Sequence, residues 1–253
     1  MPLNEAVQIM KDEIVAILAD NKPAFYLFGS IALDDFKLGW SDIDIIVLTK
    51  DEITEQQAED LVSLRQMMLA RYPGNPYFRL FEGGSRSVDA FLSGRNERTV
   101  YWGTSGQRIT DTYVIDSFAT AELLDNGVLL CGEDIRGHLI YPTHGRFRAD
   151  ISRHYDTIRR YGTEGWGWLL DIARGIYTLQ TDKVMAKTAA GEWALETGIC
   201  PVPDTLRRAV EVRKAPLDYM KREEYVEFAR HTGADIQRFA DVLEGELRKE
   251  YVT

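Results

Sequence analysis

Long apolar runs are missing from this 253-residue chain, and no stretch approaches the roughly twenty residues that a bilayer-spanning helix requires. Residues Met1 to Ala19 read as an amphipathic helix interrupted by Glu5, Lys11, Asp12 and Glu13, which is not the pattern of a signal peptide. Cysteine is scarce. Cys131 and Cys200 lie far apart and form no metal-ligand spacing, so reduced thiols in a cytoplasmic compartment are expected. Basic excess is also absent: 30 Lys and Arg stand against 40 Asp and Glu, a formal net charge of −10. Phosphate contacts supply most of the affinity for polynucleotides, so neither a nucleic acid nor a membrane is expected as a partner. A cationic ligand suits such a surface, and the charge also keeps a protein soluble. Repeats and low-complexity segments are lacking, and the length suffices for two modest domains.

What is present concentrates in residues 25–48. A strand ends in Phe28-Gly29-Ser30, a short polar connection follows, and a second strand opens with Ser41-Asp42-Ile43-Asp44. Successive strand side chains point to opposite faces, so Asp42 and Asp44 share one face while Ile43 and Ile45 take the other. Two carboxylates on one edge repel each other unless a cation intervenes. Hard oxygen donors on a rigid strand suit Mg²⁺ held together with substrate phosphates. Gly29 permits close backbone approach, and Ser30 is placed to cap a helix starting at Ile31, leaving N–H groups for a phosphate.

The remaining pattern divides near residue 143. Before it, helices are expected at 3–20, 52–72 and 115–125, and strands at 24–28, 43–48 and 127–131. A strand pair is expected at 77–82 and 88–92, separated by Gly83-Gly84-Ser85. Beyond residue 143 strand signals fade, and helical periodicity occupies about 147–181, 183–197, 204–214 and 222–250, with loops at 163–165 and 199–204. This predicts an α+β fold, with a mixed sheet and helices over 1–143 and a helical bundle over 144–253.

Phosphoryl transfer with two metals needs a further carboxylate to bridge the metal or to accept the proton of the attacking hydroxyl. Asp89, flanked by apolar residues in the expected 88–92 strand, is the candidate, and Glu82 beside Gly83-Gly84 is the rival.

The Gly-Ser…Asp-x-Asp arrangement resembles the signature of the nucleotidyltransferase superfamily that shares its fold with DNA polymerase beta. More specifically, the chain resembles aminoglycoside O-nucleotidyltransferases of the streptomycin/spectinomycin adenylyltransferase type. That resemblance spans nearly the whole chain and rests on Ala173-Arg174-Gly175-Ile176-Tyr177, Thr181 to Lys187 and Gly191-Glu192-Trp193-Ala194-Leu195. It implies a polymerase-beta-like N-terminal domain. It implies Asp42 and Asp44 as metal ligands, Gly29, Ser30, Ser41 and Asp116 on the nucleotide side, and Lys187 as a cation on the ATP phosphates. It also implies Glu164 and Trp102 at the substrate. Three positions depart from the family pattern: Arg160 where a second substrate-facing acid is expected, Asp89 where relatives carry Glu, and Arg213 near the expected late tyrosine. Arg174, Trp193, Trp166 and Trp168 also read as packing residues, and Asp116 as a favourable charge at a helix start.

The expected activity is Mg-ATP-dependent transfer of AMP to a hydroxyl of an aminoglycoside, with release of pyrophosphate, two Mg²⁺ ions and ATP as co-substrate. Such an activity confers antibiotic resistance. The alternatives are a nucleotidyltransferase acting on another small molecule or a protein, and a non-catalytic nucleotide-binding module.

Overall fold

A computed structural model describes residues 1–103 and 106–249, which divide into two units. The first comprises Met1–Asp34 and Ser41–Tyr141; the second takes Asp35–Trp40 together with the chain from Pro142 onward. Among the described residues no helix is long and apolar enough to cross a membrane.

The first unit is built on a mixed six-stranded sheet. In chain order it contains α1 (Leu3–Ile17), β1 (Ala24–Leu27), α2 (Gly29–Ala32), β2 (Ile43–Thr49), α3 (Glu55–Arg71), β3 (Phe81–Ser87), α4 (Val88–Ser93), β4 (Thr99–Gly103), β5 (Gly106–Thr110), α5 (Ser117–Asn126) and β6 (Val128–Cys131). The strand order is β5-β4-β3-β2-β1-β6. Only β2 and β3 run parallel, which the long α3 crossover permits; the other neighbours are antiparallel. A reciprocal cap starts α3: Thr54 Oγ1 accepts from the Gln57 N–H at 3.2 Å, and Gln57 Oε1 accepts from the Thr54 N–H at 3.0 Å.

Alternation sorts the side chains of the central strands. Tyr26, Phe28, Ile46 and Leu48 pack with Leu123 of α5 and Ile135 on one face. Odd-numbered Ile43, Ile45 and Val47 take the other face, and α1 and α3 supply buried Met10, Ile14, Leu61, Leu64 and Met68.

Two expectations fail here. The strand does not stop at Gly83-Gly84-Ser85 but runs through them to Ser87. Residues 88–93 form helix α4 rather than a strand, because Ser87 Oγ caps it by accepting from the Ala90 N–H at 3.1 Å. Val88 and Phe91 then pack on the core with helical spacing, and Asp89 turns outward. Strands β4 and β5 were not expected; Thr99-Val100-Tyr101-Trp102 is the β-branched and aromatic run that signals the first of them.

The second unit is helical: α6 (His144–Tyr161), α7 (Gly167–Thr181), α8 (Lys187–Glu196), α9 (Pro203–Lys214), α10 (Pro216–Tyr219), α11 (Glu223–Arg230) and α12 (Gly233–Leu247). Helix α7 is its centre. It buries Leu169, Leu170, Ile172, Ala173, Ile176 and Leu179, and it packs on α6, α8, α9 and α12. The expected long last helix is two helices, because Thr232 bonds the carbonyls of Gly165 and Ala229, and the space beside Gly233 is filled by the Thr163 carbonyl. Residue 250, the end of that expected helix, lies outside the described residues.

Segment 35–40 is fixed within the second unit by a buried ion pair. Arg213 Nη2 donates to Asp35 Oδ2 at 3.0 Å, Thr188 Oγ1 donates to Asp35 Oδ1 at 2.7 Å, and the Arg213 guanidinium lies 5.4 Å from the Trp40 ring centroid. Both charged side chains are at most 7% exposed. Removing one partner strands the other in a dry interior. Arg213→Met is therefore expected to lower the unfolding free energy of this unit by about 3–5 kcal/mol, and Arg213→Met with Asp35→Leu by distinctly less, as read from urea titration.

Candidate active site

Strands β2 and β3 run in a register that sets Asp44 directly opposite Glu82. Both carboxylates line a cleft of about 390 Å³, with Phe28, Gly83, Tyr101, Arg108, Tyr113 and Asp116 among the other walls. Asp42 lies just ahead of β2, two residues before Asp44, and its charge acts on both Tyr101 and Arg65. Gly29 abuts this pair. Its φ of +62° suits glycine, and a Cβ there would stand 2.1 Å from Asp44 Oδ2. The Phe28 N–H also donates to the Asp44 carbonyl at 3.1 Å, so the turn after β1 is held against the acidic strand.

Ser30 does not cap a helix at Ile31 as expected. Helix α2 already begins at Gly29, and the Ser30 hydroxyl donates to the Asp42 carbonyl at 3.5 Å. It thus ties the glycine turn to the approach of β2. Ser41 is buried immediately before the acids. Asp116 combines two roles, accepting from the Ala119 N–H at 2.8 Å as the cap of α5 while lining the cleft.

Two site assignments are corrected by the placement of their residues. Asp89 is not beside Asp44: its side chain is 77% exposed on α4 and paired with Arg95 at 3.2 Å. An acid flanked by apolar residues is costly in a buried strand, but in the first turn of a helix it is exposed and favoured by the helix dipole. Glu82 occupies the place opposite Asp44 instead. Trp102 is not at a ligand surface. It is 3% exposed, and its indole N–H donates to the Leu61 carbonyl at 3.0 Å. Neighbouring strand residues face opposite ways, and Tyr101 takes the cleft side.

Residues that sequence reasoning missed complete the electrostatics. Arg65 is buried on α3 and donates to the carbonyls of Phe81 and Gly103 and to Gln107 Oε1, each at 3.1 Å. Burial lowers its pKa, opposed by the charges of Glu82 and Asp42. Tyr113 is pushed well above the ordinary phenol range by burial and by Asp44, Tyr101, Glu82 and Asp116. Tyr101 is raised by burial and by its bond to Glu82. Burial is the main cause in all three, and the nearby carboxylates add to it for the two tyrosines and oppose it for Arg65. Only the strand-like run at 99–102 carries a sequence signal for Tyr101; nothing local marks Tyr113 or Arg65.

The carboxylates suit a divalent cation of the Mg²⁺ type. They are hard oxygen donors converging beside a backbone that lacks a Cβ. Among the described residues no three His, Cys, Asp or Glu side chains converge to cage a metal on their own. Mg²⁺ ordinarily takes one or two carboxylates and completes its shell with water and substrate phosphates.

In the second unit Lys187 opens α8 and its ammonium lies 2.8 Å from Asp171 Oδ1 on α7, with His154 Nε2 3.6 Å from the other oxygen. Glu164 is exposed in the loop before α7. It lines a hollow of about 280 Å³ with Gly165, Trp166, Met220, Val226, Ala229 and Arg230. Trp166 itself is buried and stacks on Phe228 at 5.5 Å.

Comparison with known proteins defines the class first. Residues 10–70 match the family model described as nucleotidyltransferase domain, and the acidic β2 edge lies within them, so the first unit carries a polymerase-beta-like nucleotidyltransferase domain. Over its length the chain is then similar in fold to spectinomycin adenyltransferase AAD(9) from Enterococcus faecialis, solved with ATP and spectinomycin. The TM-score is 0.65 and the identity 15%, over 96% of this chain and 100% of that one. At this identity the likeness is one of fold. A toxin-antitoxin structure with AMP-PNP aligns at a TM-score of 0.30 and 16% identity, over 59% of this chain and 98% of that one, and carries no argument. No curated protein matches the chain.

Burial pushes the Asp171 carboxyl up, but Lys187, His154 and Arg174 outweigh it and hold the group well below its ordinary value of 3.8. A depressed carboxylate stabilises the fold above the unfolded pKa and loses that contribution as pH falls through the folded one. The urea-stability advantage of the parent over Asp171→Asn is therefore expected to stay level from pH 7 to about 5 and to shrink steadily below about 4.

Proposed function

We propose that the protein transfers AMP from ATP to a hydroxyl of an aminoglycoside of the spectinomycin or streptomycin kind. The observation that carries this reading is the pairing of Asp44 with Glu82 beside Gly29, in a nucleotidyltransferase domain within a chain similar end to end in fold to a spectinomycin adenyltransferase. In the reaction the acceptor oxygen bonds to the α-phosphorus of ATP, the bond from that phosphorus to the bridging oxygen breaks, and pyrophosphate leaves.

Asp42 and Asp44 would hold Mg²⁺. The bound ion supplies neutralisation of charge on the phosphates. Glu82 takes the proton of the attacking hydroxyl, the role expected of Asp89 from the sequence. The backbone around Gly29 approaches the phosphates closely, and Ser30 fixes that turn to the strand bearing the acids. Glu164 and Lys187 enter this reading through the family resemblance, for the acceptor cation and the phosphates. Cytoplasmic residence fits a reaction that consumes ATP.

One observation favours a second reading, in which another small molecule or a protein accepts the AMP. Trp102, the aromatic wall expected for sugar rings, is packed in the core.

Pyrophosphate release measured with ATP, Mg²⁺ and a panel of aminoglycosides separates the two. Stimulation by spectinomycin or streptomycin is expected, and none by any panel member would overturn the antibiotic acceptor. Asp44→Asn and Glu82→Gln are each expected to slow transfer at least about a hundredfold, while Asp89→Asn stays within about twofold of the parent. Loss in Asp89→Asn with retention in Glu82→Gln would reverse the choice of base.

A further inference from the structure

Across the cleft face, four neighbouring strands line up polar side chains in lateral register. Asp44 on β2 stands opposite Glu82 on β3, Gly84 on β3 opposite Tyr101 on β4, and Tyr101 opposite Arg108 on β5. Glu82 and Gly84 share a face, so Tyr101 is the diagonal neighbour of Glu82 and within reach of it. Its phenol donates to Glu82 Oε1 at 3.0 Å, and the Arg108 guanidinium lies 4.4 Å from the Tyr101 ring centroid.

Two glycines make this arrangement possible. A Cβ on Gly103 would stand 2.2 Å from the Tyr101 hydroxyl oxygen, and one on Gly84 would stand 2.4 Å from Tyr113 Cδ1. The Tyr101 ring therefore lies along its own strand over Gly103, with Tyr113 tilted against it at 5.9 Å. Any side chain at position 103 would displace the hydroxyl that reaches Glu82.

The chemistry gives that bond a purpose. A glutamate side chain turns about three bonds, and a base that wanders loses the near-attack geometry on which transfer depends. A phenol pins one carboxylate oxygen without adding a positive charge, so the other oxygen keeps its capacity to accept a proton. A lysine or arginine in direct contact would instead form an ion pair and weaken the base. Arg108, a strand further out on β5, lies over the Tyr101 ring.

We propose that Tyr101 is the positioning residue of AMP transfer, fixing Glu82 through its hydroxyl, and that Arg108 seats the Tyr101 ring. This rests on Glu82 as the proton acceptor. The role is separable from folding, because Tyr101→Phe keeps the ring, its contact with Tyr113 and its place under Arg108.

Pyrophosphate release with ATP, Mg²⁺ and spectinomycin gives the first readout. Tyr101→Phe is expected to lower kcat roughly tenfold to a hundredfold, as loss of such a supporting bond does, with both KM values within about twofold of the parent. Adding Tyr101→Phe to Glu82→Gln is expected to cost nothing further, since a base already lost needs no orientation. An unchanged kcat, or losses that multiply in the double variant, would overturn the proposal.

The second readout needs no substrate. With 3-fluorotyrosine at position 101, the fluorine resonance is expected to move on Glu82→Ala and to stay in place on Asp89→Asn. A resonance indifferent to Glu82→Ala overturns the pairing. Should the parent release no pyrophosphate with any acceptor, the reading under "Proposed function" falls by itself. The fluorine measurement then decides whether Tyr101 holds Glu82.

Discussion

The parallel pairing of β2 with β3 is the constraint from which the rest of the candidate site follows. It sets Asp44 across from Glu82, and the α3 crossover is what allows two sequential strands to run parallel. A slip of one residue in β3 would turn Phe81 into the cleft and send Glu82 toward the face covered by α1 and α3. The β1 turn then closes on this pair. Gly29 comes so near the Asp44 carboxylate that no other residue fits without displacing it.

Gathering carboxylates on one face costs free energy, and the fold offsets it from beneath and from the side. Arg65 lies under the acids with its hydrogen bonds directed to neutral oxygens of Phe81, Gly103 and Gln107. Its charge is therefore not cancelled by a contact ion pair in those bonds, and its field still acts on Asp42 and Glu82. The same three bonds tie the start of β3 to β4 and β5, so charge compensation and strand geometry depend on one side chain. Tyr101 adds a neutral donor to Glu82 at 3.0 Å.

In the second unit the ionic chemistry sits around α7. Asp171 is depressed by Lys187 and His154, and Glu164 opens onto a hollow floored by Trp166, Met220 and Val226. The segment 35–40, which lies in sequence between the glycine turn and the acidic strand, is fixed by Arg213 and Thr188 within this same unit.

By itself the sequence determined the mixed sheet followed by helices, the Gly29-Ser30 turn, and the strand that carries Asp44. Each rests on local periodicity or on a contiguous motif, where neighbours in sequence are neighbours in space. Tertiary structure alone decided what depends on register. Glu82 rather than Asp89 meets Asp44 because β3 runs through its glycines and stops at the Ser87 cap, which moves Asp89 onto a helix. Tyr101 rather than Trp102 faces the cleft because β4 pairs with β3 in the register that puts Gly84 opposite Tyr101. Alternation has a period of two, so an error of one residue exchanges core for site, and only the paired strand fixes that choice. Arg65 was illegible for a related reason: its hydrogen-bond partners lie 16 or more residues away in sequence, and nothing beside it records the contacts.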